Sequence, residues 1–455
     1  MDKEKIKALQ DELKARYKSL SECPVKYCGR DKADGTKAIW VELLPDLKPY
    51  PDDLDEKKSC IEALYFYYPL EDDPSLLTEE EKADKGFIRV FAYMGIPKSA
   101  ESGTVCVHGG LGHAYATYVL EAECHGFAAI AFDTEGFKNT TGGCGAPYRE
   151  DEEAYVKDCC GHKEKDSFAT EFEPLENQWL YWAVADTVIA NSVMRAEKGI
   201  DGVGLTGLSW GGVVTSTTVA YDRRFAFCVP VYIAFHMAST TGSSLGLTGR
   251  PFASALWQEP KLLNESTVPV LMLASDRDHF ASVDTCMKTA DDLPNGSIII
   301  KPDFPHSHGA GACPSEIYRY GMTVIGKAEG FIEPERRPLS SDGRSYSLKL
   351  SVPTDIKDVA VNLYTRTEPI LPYGFDDRPE WNKILFSYND ETKTVKVIIP
   401  ADVYMYYLTF TGICEELIEV KKDTPYLSHD PYGEGTLISS SEVIVLGDGD
   451  ITQKN

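Results

Sequence analysis

The stretch that decides the fold is Ile200 to Val214, IDGVGLTGLSWGGVV. Its apolar run breaks at Gly207 and Ser209, and two further glycines precede a run of small residues typical of a helix. The pattern predicts a strand, a sharp turn with Ser209 at its tip, and a helix. Such a turn crowds the backbone, so the positions two before and two after the serine need minimal side chains, which Gly207 and Gly211 supply. We therefore expect the Ser209 hydroxyl to lie at the sheet edge, beside the amino end of the helix.

Other continuous apolar runs lie on both sides of this stretch. They are Thr104 to Val107, Gly126 to Asp133, Phe225 to Phe235, Val268 to Ala274 and Ser297 to Lys301. Continuous apolar strands separated by helical segments are typical of a parallel sheet that helices cover on both faces. The aromatic runs Cys60 to Pro69 and Phe87 to Pro97 alternate, and we predict antiparallel strands there. The predicted fold class is α/β.

The pattern changes after residue 345 to short alternating strands divided by turn residues, which predicts a small antiparallel β-sandwich. A chain of 455 residues is too long for one ordinary core. We expect an N-terminal helix and extension packing on the main domain at 1–59, an α/β catalytic domain at 60–334 and the sandwich at 335–455. Residues 137–176 are interpreted as a lid-like insertion, and the prolines and arginines of 334–338 as a hinge-like seam.

The charge balance argues against two classes of partner. The chain has 46 Lys and Arg against 71 Asp and Glu, a formal net charge of −25. Nucleic acids and anionic membranes attract basic surfaces, so we expect neither as a partner. The amino terminus lacks the apolar core of a signal peptide, and no run approaches the ~20 apolar residues of a membrane span. We expect a cytoplasmic protein that acts on a small molecule, and a homo-oligomer is left open.

Cysteine and histidine usage favours neither disulfides nor a metal site. The 12 cysteines are scattered without a repeating frame, so we expect reduced thiols. Cys159, Cys160 and His162 lie close together, but adjacent cysteines fit a tetrahedral metal site poorly. We therefore predict no metal and no cofactor.

A serine hydroxyl is a weak nucleophile near neutral pH, and it needs a base whose orientation a carboxylate fixes. The loop after Val268 to Ala274 contains Asp276 and Asp278. We favour Asp278 because it lies further beyond the strand end, where a loop would place it beside the serine turn. The loop after the last apolar run contains His306 and His308, and we choose His306 as the base, with His308 in reserve.

Attack on a carbonyl creates an oxyanion, which two backbone N–H groups can stabilise. Trp210, directly after the serine, supplies one of them. The loop that follows Val107 supplies the other, and its glycines allow the backbone to approach a substrate. We name Gly110 and Leu111 as its candidate donors.

Several of these motifs together resemble the α/β-hydrolase superfamily. They are His-Gly-Gly at 108–110, Phe-Asp at 132–133, Gly-Leu-Ser-Trp-Gly-Gly at 207–212, Asp-Arg-Arg-Phe at 222–225 and Pro-His-Ser-His-Gly at 305–309. Within the superfamily they are similar to the acetyl xylan esterase, dienelactone hydrolase and prolyl-oligopeptidase-like branches. The resemblance spans roughly residues 60 to 330, and the predicted sandwich has no comparably specific motif.

The resemblance implies a serine hydrolase that cleaves a carboxylic ester through an acyl-enzyme intermediate. Ser209 would be the nucleophile, His306 the base and Asp278 its partner. It suggests a small-acyl (acetyl) esterase acting on a carbohydrate-like or other small polar substrate. Two alternatives stay open: a peptidase, aminoacyl hydrolase or lactonase with the same triad, and a non-catalytic binding module on a hydrolase scaffold. The doubled histidine departs from the single one usual in the superfamily.

Overall fold

A computed structural model of the chain describes 16 stretches of it. They are residues 3–27, 38–45, 60–69, 87–109, 112, 114–134, 168, 171–175, 178–242, 247, 249–338, 344–374, 377–422, 431–433, 435–447 and 449–451. The chain divides into two compact units. The first comprises Met1–Pro230 with Gly246–Pro269, and the second comprises Val231–Leu245 with Val270–Asn455.

The first unit contains strands β1 to β8 and helices α1 to α6. The strands are β1 Val25–Tyr27, β2 Ile39–Leu43, β3 Ile61–Pro69, β4 Phe87–Gly95, β5 Ser102–Val107, β6 Ala128–Phe132, β7 Gly202–Leu208 and β8 Phe227–Val231, whose last residue is the first of the second unit. The helices are α1 Lys3–Ser21, α2 Ala116–Cys124, α3 Trp179–Ala196, α4 Trp210–Tyr221, α5 Pro251–Trp257 and α6 Pro260–Asn264.

The sheet of the first unit has the strand order β1-β2-β3-β4-β6-β5-β7-β8. Strand β5 pairs in parallel with both β6 and β7, whereas β3 and β4 form an antiparallel pair. Every residue of β5 and β6 is buried, as expected for strands that helices cover on both faces. Helix α4 follows β7 after a single residue, Ser209. The predicted strand, turn and helix around Ser209 are thus present.

The second unit contains strands β9 to β19 and helices α7 to α10. The strands are β9 Val270–Ser275, β10 Gly296–Lys301, β11 Glu333–Pro338, β12 Ser345–Ser351, β13 Ile356–Arg366, β14 Asn382–Phe386, β15 Tyr388–Asn389, β16 Thr394–Ile398, β17 Met405–Cys414, β18 Thr436–Ser440 and β19 Ile444–Val445. The helices are α7 Val283–Asp292, α8 His308–Ala312, α9 Ser315–Val324 and α10 Glu415–Lys422.

Strands β9 and β10 are parallel, with Ser275 opposite Lys301, so both end at the same level. The C-terminal strands form two antiparallel sheets, β11-β12-β16-β15 and β14-β13-β17-β18, and β19 also pairs with β17. Alternate residues of both sheets point into one apolar core, which includes Leu348, Val397, Leu363 and Phe410. This is the antiparallel sandwich that the alternating sequence pattern predicts.

Two expectations about individual segments were wrong. The strand predicted over 225–235 ends at Val231, because Tyr232 has a φ of 71° and turns the chain out of the ladder. The hinge-like seam at 334–338 is part of β11, which pairs only with β12 among the strands of the described residues. An edge strand tolerates prolines because one side of its backbone makes no ladder hydrogen bonds.

Two other expectations receive no test from the structure. The lid-like insertion lies mostly outside the described residues, and the domain boundaries at 59/60 and 334/335 remain predictions. Of the helices in the described stretches, none has the length and apolar character needed to cross a bilayer.

Candidate active site

Ser209 occupies the turn between β7 and α4. Its φ is 54° and its ψ is −121°, a conformation that a residue with a Cβ rarely adopts. Strained backbone of this kind persists only where the surrounding structure enforces it, and it clusters at functional sites. The sharp strand-to-helix turn with a serine at its tip is the geometry of a nucleophile elbow.

Three glycines allow the backbone to close around this turn. A Cβ on Gly207 would lie 2.5 Å from the carbonyl oxygen of Gly211, and one on Gly211 would lie 2.1 Å from the carbonyl oxygen of Val107. A Cβ on Gly109 would lie 2.2 Å from the Leu208 oxygen and 2.5 Å from the Trp210 nitrogen. Each contact is to backbone, which cannot move aside as a flexible side chain could. The turn therefore packs directly against the end of β5 and the residues that follow it.

Backbone amides at this turn could hold an oxyanion. The amide of Trp210 is the first of helix α4, and the first N–H groups of a helix have no partner within it. Gly110 and Leu111, the other predicted donors, lie outside the described residues. Gly109, the residue before them, lies close to the Trp210 amide, since a Cβ there would be 2.5 Å from the Trp210 nitrogen.

The Trp210 side chain lies in an aromatic cluster beside the serine turn. Its ring centroid is 5.3 Å from that of Phe168 and 5.6 Å from that of Trp179. The indole of Trp179 is buried and donates a 2.8 Å hydrogen bond to the carbonyl oxygen of Thr134. The rings of Trp179 and Phe168 thus pack against the residue that follows the nucleophile candidate.

In the second unit, Asp278 and His306 form a hydrogen-bonded pair. His306 Nδ1 lies 2.6 Å from Asp278 Oδ2, and the two side chains are 8% and 0% exposed. The other carboxylate oxygen, Oδ1, accepts hydrogen bonds from the amides of Phe280 at 2.7 Å and Ala281 at 3.1 Å. An ionised carboxylate only accepts hydrogen bonds, so its hydrogen bond with His306 requires a proton on imidazole Nδ1. In the neutral imidazole, the other nitrogen, Nε2, then carries the lone pair that can accept a proton.

The imidazole of His306 is packed between aromatic rings. Tyr232 stacks on it at 4.4 Å and 27°, and Phe280 contacts it edge-on at 4.8 Å. The Tyr232 hydroxyl lies 2.7 Å from the carbonyl oxygen of Pro305 and 3.3 Å from that of Ser307, the residues on either side of His306. Tyr232 therefore restrains both the ring and the backbone of His306. Sequence reasoning missed it, because it belongs to a run that looks like uninterrupted strand.

The two residues held in reserve have different surroundings. Asp276 Oδ1 accepts the amide of Asp303 at 2.7 Å, and its Oδ2 accepts the hydroxyl of Tyr407 at 2.7 Å. Burial raises the pKa of the Asp276 carboxyl to about 6, although both hydrogen bonds oppose the shift. His308 is exposed and begins the short helix α8, and desolvation and the nearby His306 lower the pKa of its imidazole. The structure thus brings together Asp278 and His306.

The chain was also compared with known proteins. No protein-family model and no curated protein matches it. Solved structures do match the chain. The acetyl xylan esterase from Paenibacillus sp. R4 is 16% identical to it with a TM-score of 0.44, and the match covers 68% of this chain and 95% of the esterase. Acetyl xylan esterase 1 from Thermoanaerobacterium sp. JW/SL YS485 is 15% identical with a TM-score of 0.43, covering 68% and 94%. Est1E from Butyrivibrio proteoclasticus, bound to ferulic acid, is 17% identical with a TM-score of 0.38, covering 53% and 97%.

The topology defines the class of fold. The order β3-β4-β6-β5-β7-β8 places β5 between β6 and β7, and the serine turn follows β7. Later in the chain, an acidic loop follows β9 and a histidine loop follows β10. A serine turn, an acidic loop and a histidine loop in this chain order, each following a strand, are features of the α/β-hydrolase fold. The predicted fold class, with its C-terminal antiparallel region, is confirmed.

The close approach at Gly211 predicts a large effect of a small substitution. Gly211→Ala should destabilise the protein by about 1–3 kcal/mol, because its Cβ would collide with the backbone of β5. Gly202→Ala is the matched control in β7, since its Cβ would meet Ala226 at an ordinary 3.5 Å. Urea unfolding measures both variants. Equal free energies of unfolding for the two variants would contradict the packing described here.

The buried Asp276 carboxyl predicts a pH dependence of stability. Its raised pKa means that the folded protein binds this proton more tightly than the unfolded chain does. The resulting stabilisation is present below about pH 4, the ordinary aspartate pKa, and is lost as the pH rises through about 6. Between pH 4 and 7, the wild type should lose about 2 kcal/mol of unfolding free energy relative to Asp276→Asn. The difference in unfolding free energy between the wild type and Asp276→Asn could instead stay constant over this pH range, or change in favour of the wild type as the pH rises. Either result would show that Asp276 is not buried as described.

Proposed function

We propose that this chain is a serine hydrolase that cleaves carboxylic esters, with Ser209 as nucleophile, His306 as general base and Asp278 as its orienting acid. The observation that carries the proposal is the backbone of Ser209, held at a φ of 54° in a turn with no space for a side chain at its flanking glycines. The hydrogen bond between Asp278 and His306 supports it, because it joins a buried carboxylate to imidazole Nδ1 and leaves Nε2 as the nitrogen that would act as the base.

In the proposed reaction, the Ser209 oxygen attacks the ester carbonyl as its proton passes to His306 Nε2. The negative oxygen that forms is held by the amide of Trp210 and by one from Gly110 or Leu111. The intermediate collapses, the ester C–O bond breaks, and the leaving alcohol takes the proton from His306. A water molecule, deprotonated by the same nitrogen, then releases the acid and restores the serine. Asp278 stays ionised and stabilises the imidazolium in each half of the cycle.

For the substrate, we propose a small acyl group, foremost acetyl, on a carbohydrate-like or other small polar alcohol. The sequence motifs suggest this class. The rings of Phe168 and Trp179 pack against Trp210, the residue after Ser209, and in this proposal they limit the length of the acyl chain.

A serine-directed fluorophosphonate probe tests the assignment. The wild type should be labelled, and Ser209→Ala should lose labelling because the attacking oxygen is gone. His306→Ala should slow labelling by about 10²- to 10⁴-fold through loss of the general base. His308→Ala is the matched control in the same loop and should label at close to the wild-type rate. Labelling that survives Ser209→Ala, or that depends on His308 and not on His306, would overturn these roles.

A substrate screen of the same proteins tests the proposed class. Acetylated sugars should be hydrolysed faster than longer acyl esters, lactones and aminoacyl amides, and Ser209→Ala should hydrolyse none of them. Fastest turnover of aminoacyl amides would instead make the chain a peptidase. A wild type that neither labels nor hydrolyses any of these compounds would favour a binding module.

A further inference from the structure

The loops that carry Asp278 and His306 are both tied to one other carboxylate. Asp276 directly follows β9, in the same loop as Asp278. Its Oδ1 accepts the amide of Asp303, which belongs to the loop between β10 and His306. Asp276 thus joins the acid loop to the histidine loop through a 2.7 Å hydrogen bond.

The C-terminal strands complete this attachment. Tyr407 of β17 donates its hydroxyl to Asp276 Oδ2 at 2.7 Å, and the Trp381 indole donates to the Asp276 carbonyl oxygen at 3.1 Å. Tyr373 donates its hydroxyl to the carbonyl oxygen of Asp278 at 2.5 Å. Three aromatic side chains from the region after residue 345 therefore hold the two acidic residues of one loop.

The hydrogen bond between Asp276 and Tyr407 is buried, and neighbouring rings support it. Asp276 is 3% exposed and Tyr407 is fully buried. The Tyr407 ring stacks on Tyr364 at 4.9 Å and 10°, and Trp381 packs edge-on against Tyr407 at 5.0 Å. The phenol is thereby held in one orientation, with its hydroxyl aimed at the carboxylate. Losing a hydrogen bond to a buried charged group costs more free energy than losing a hydrogen bond at the exposed surface.

We propose that Asp276 and Tyr407 are positioning residues that set the geometry of the Asp278 and His306 pair, so that the C-terminal sandwich is part of the catalytic machinery. This inference rests on the proposed function, because it assigns these residues to the same site. The sandwich acts by fixing where the acid and histidine loops lie relative to each other. An error of about 1 Å in the placement of a catalytic group can cost about 10²-fold in rate.

The ionisation state of Asp276 gives this role a pH signature. The titratable or charged groups around its carboxylate are Tyr407, Tyr364 and Tyr373 from the C-terminal region and Arg277 and Asp303 from the two loops. Burial raises the pKa of Asp276 to about 6, while the Tyr407 hydroxyl, Asp303 amide and Arg277 charge lower it. Protonation as the pH falls through this pKa leaves a weaker acceptor for the two donors, so activity should fall with it.

Tyr407→Phe removes one donor and keeps the ring. We expect kcat to fall about 10-fold or more with KM little changed, because the pair is misplaced while substrate binding is not altered. The acidic inflection assigned to Asp276 should move to higher pH, since the charged carboxylate has lost a hydrogen bond. In Asp276→Asn, that inflection should disappear.

Tyr346→Phe is the matched control. Tyr346 lies in the sandwich core and shares a buried 2.8 Å hydroxyl hydrogen bond with Tyr406. This variant also loses one buried phenol, so its melting temperature should fall by a similar amount, but its kcat and pH profile should match the wild type. Equal kcat and pH profiles for Tyr407→Phe and Tyr346→Phe would overturn the proposal and leave Tyr407 a purely structural residue.

A measurement without turnover separates this inference from the proposed function. The Nδ1 proton of His306, shared with Asp278, should resonate far downfield in proton NMR, and Ser209→Ala should retain it. Adding Tyr407→Phe to Ser209→Ala should shift or broaden this resonance, whereas adding Tyr346→Phe should not. An unchanged resonance in both double variants would contradict the positioning role, whether or not the protein hydrolyses esters.

Discussion

Ser209 keeps a backbone with positive φ because main chain closes around it from several directions. The contacts at Gly109, Gly207 and Gly211 leave no room for a Cβ. The end of β5, the end of β7 and the start of α4 can therefore pack this closely only with glycine at these three positions. The parallel pairing of β5 with β7 brings Val107 and Gly207 opposite each other, which sets this close approach. A serine in that conformation is costly for the fold, and Ser209 stands directly before the first residue of helix α4.

In the second unit, one loop buries two carboxylates, those of Asp276 and Asp278. Each must exchange water for hydrogen-bond donors, because an unpaired buried charge is strongly unfavourable. Asp278 receives two loop amides and the His306 imidazole, and Asp276 receives one amide and the Tyr407 phenol. The two carboxylates therefore make different connections: Asp278 holds the His306 imidazole, and Asp276 links two loops to the sandwich.

Much of this arrangement follows from sequence, because the deciding signals are local. The glycines flanking Ser209 require a tight turn wherever they occur, and apolar runs without alternation indicate a covered parallel sheet. The loops bearing Asp278 and His306 were found because each follows a recognisable strand. The position of Asp278 in its loop favours it over Asp276 as the predicted acid. In the structure Asp278 contacts His306, whereas Asp276 accepts from the Asp303 amide and the Tyr407 hydroxyl.

Other features could not be predicted, because their partners are remote in the chain. Nothing near Tyr407 or Trp381 in sequence marks them as neighbours of a residue more than a hundred positions earlier. Tyr232 was hidden inside an apolar run, although it ends the strand and stacks on His306. The prolines of β11 suggested a hinge, because sequence alone does not show that a strand lies at a sheet edge.

The most direct test of the central claim is to trap the acyl-enzyme. The protein would be mixed with an activated acetyl ester, quenched in acid within milliseconds to seconds, digested and mapped by mass spectrometry. We predict one acetyl group on the peptide that contains Ser209, formed rapidly in the wild type and far more slowly in His306→Ala. An acetyl group on another residue, or equal acetylation of Ser209 with and without His306, would contradict the account.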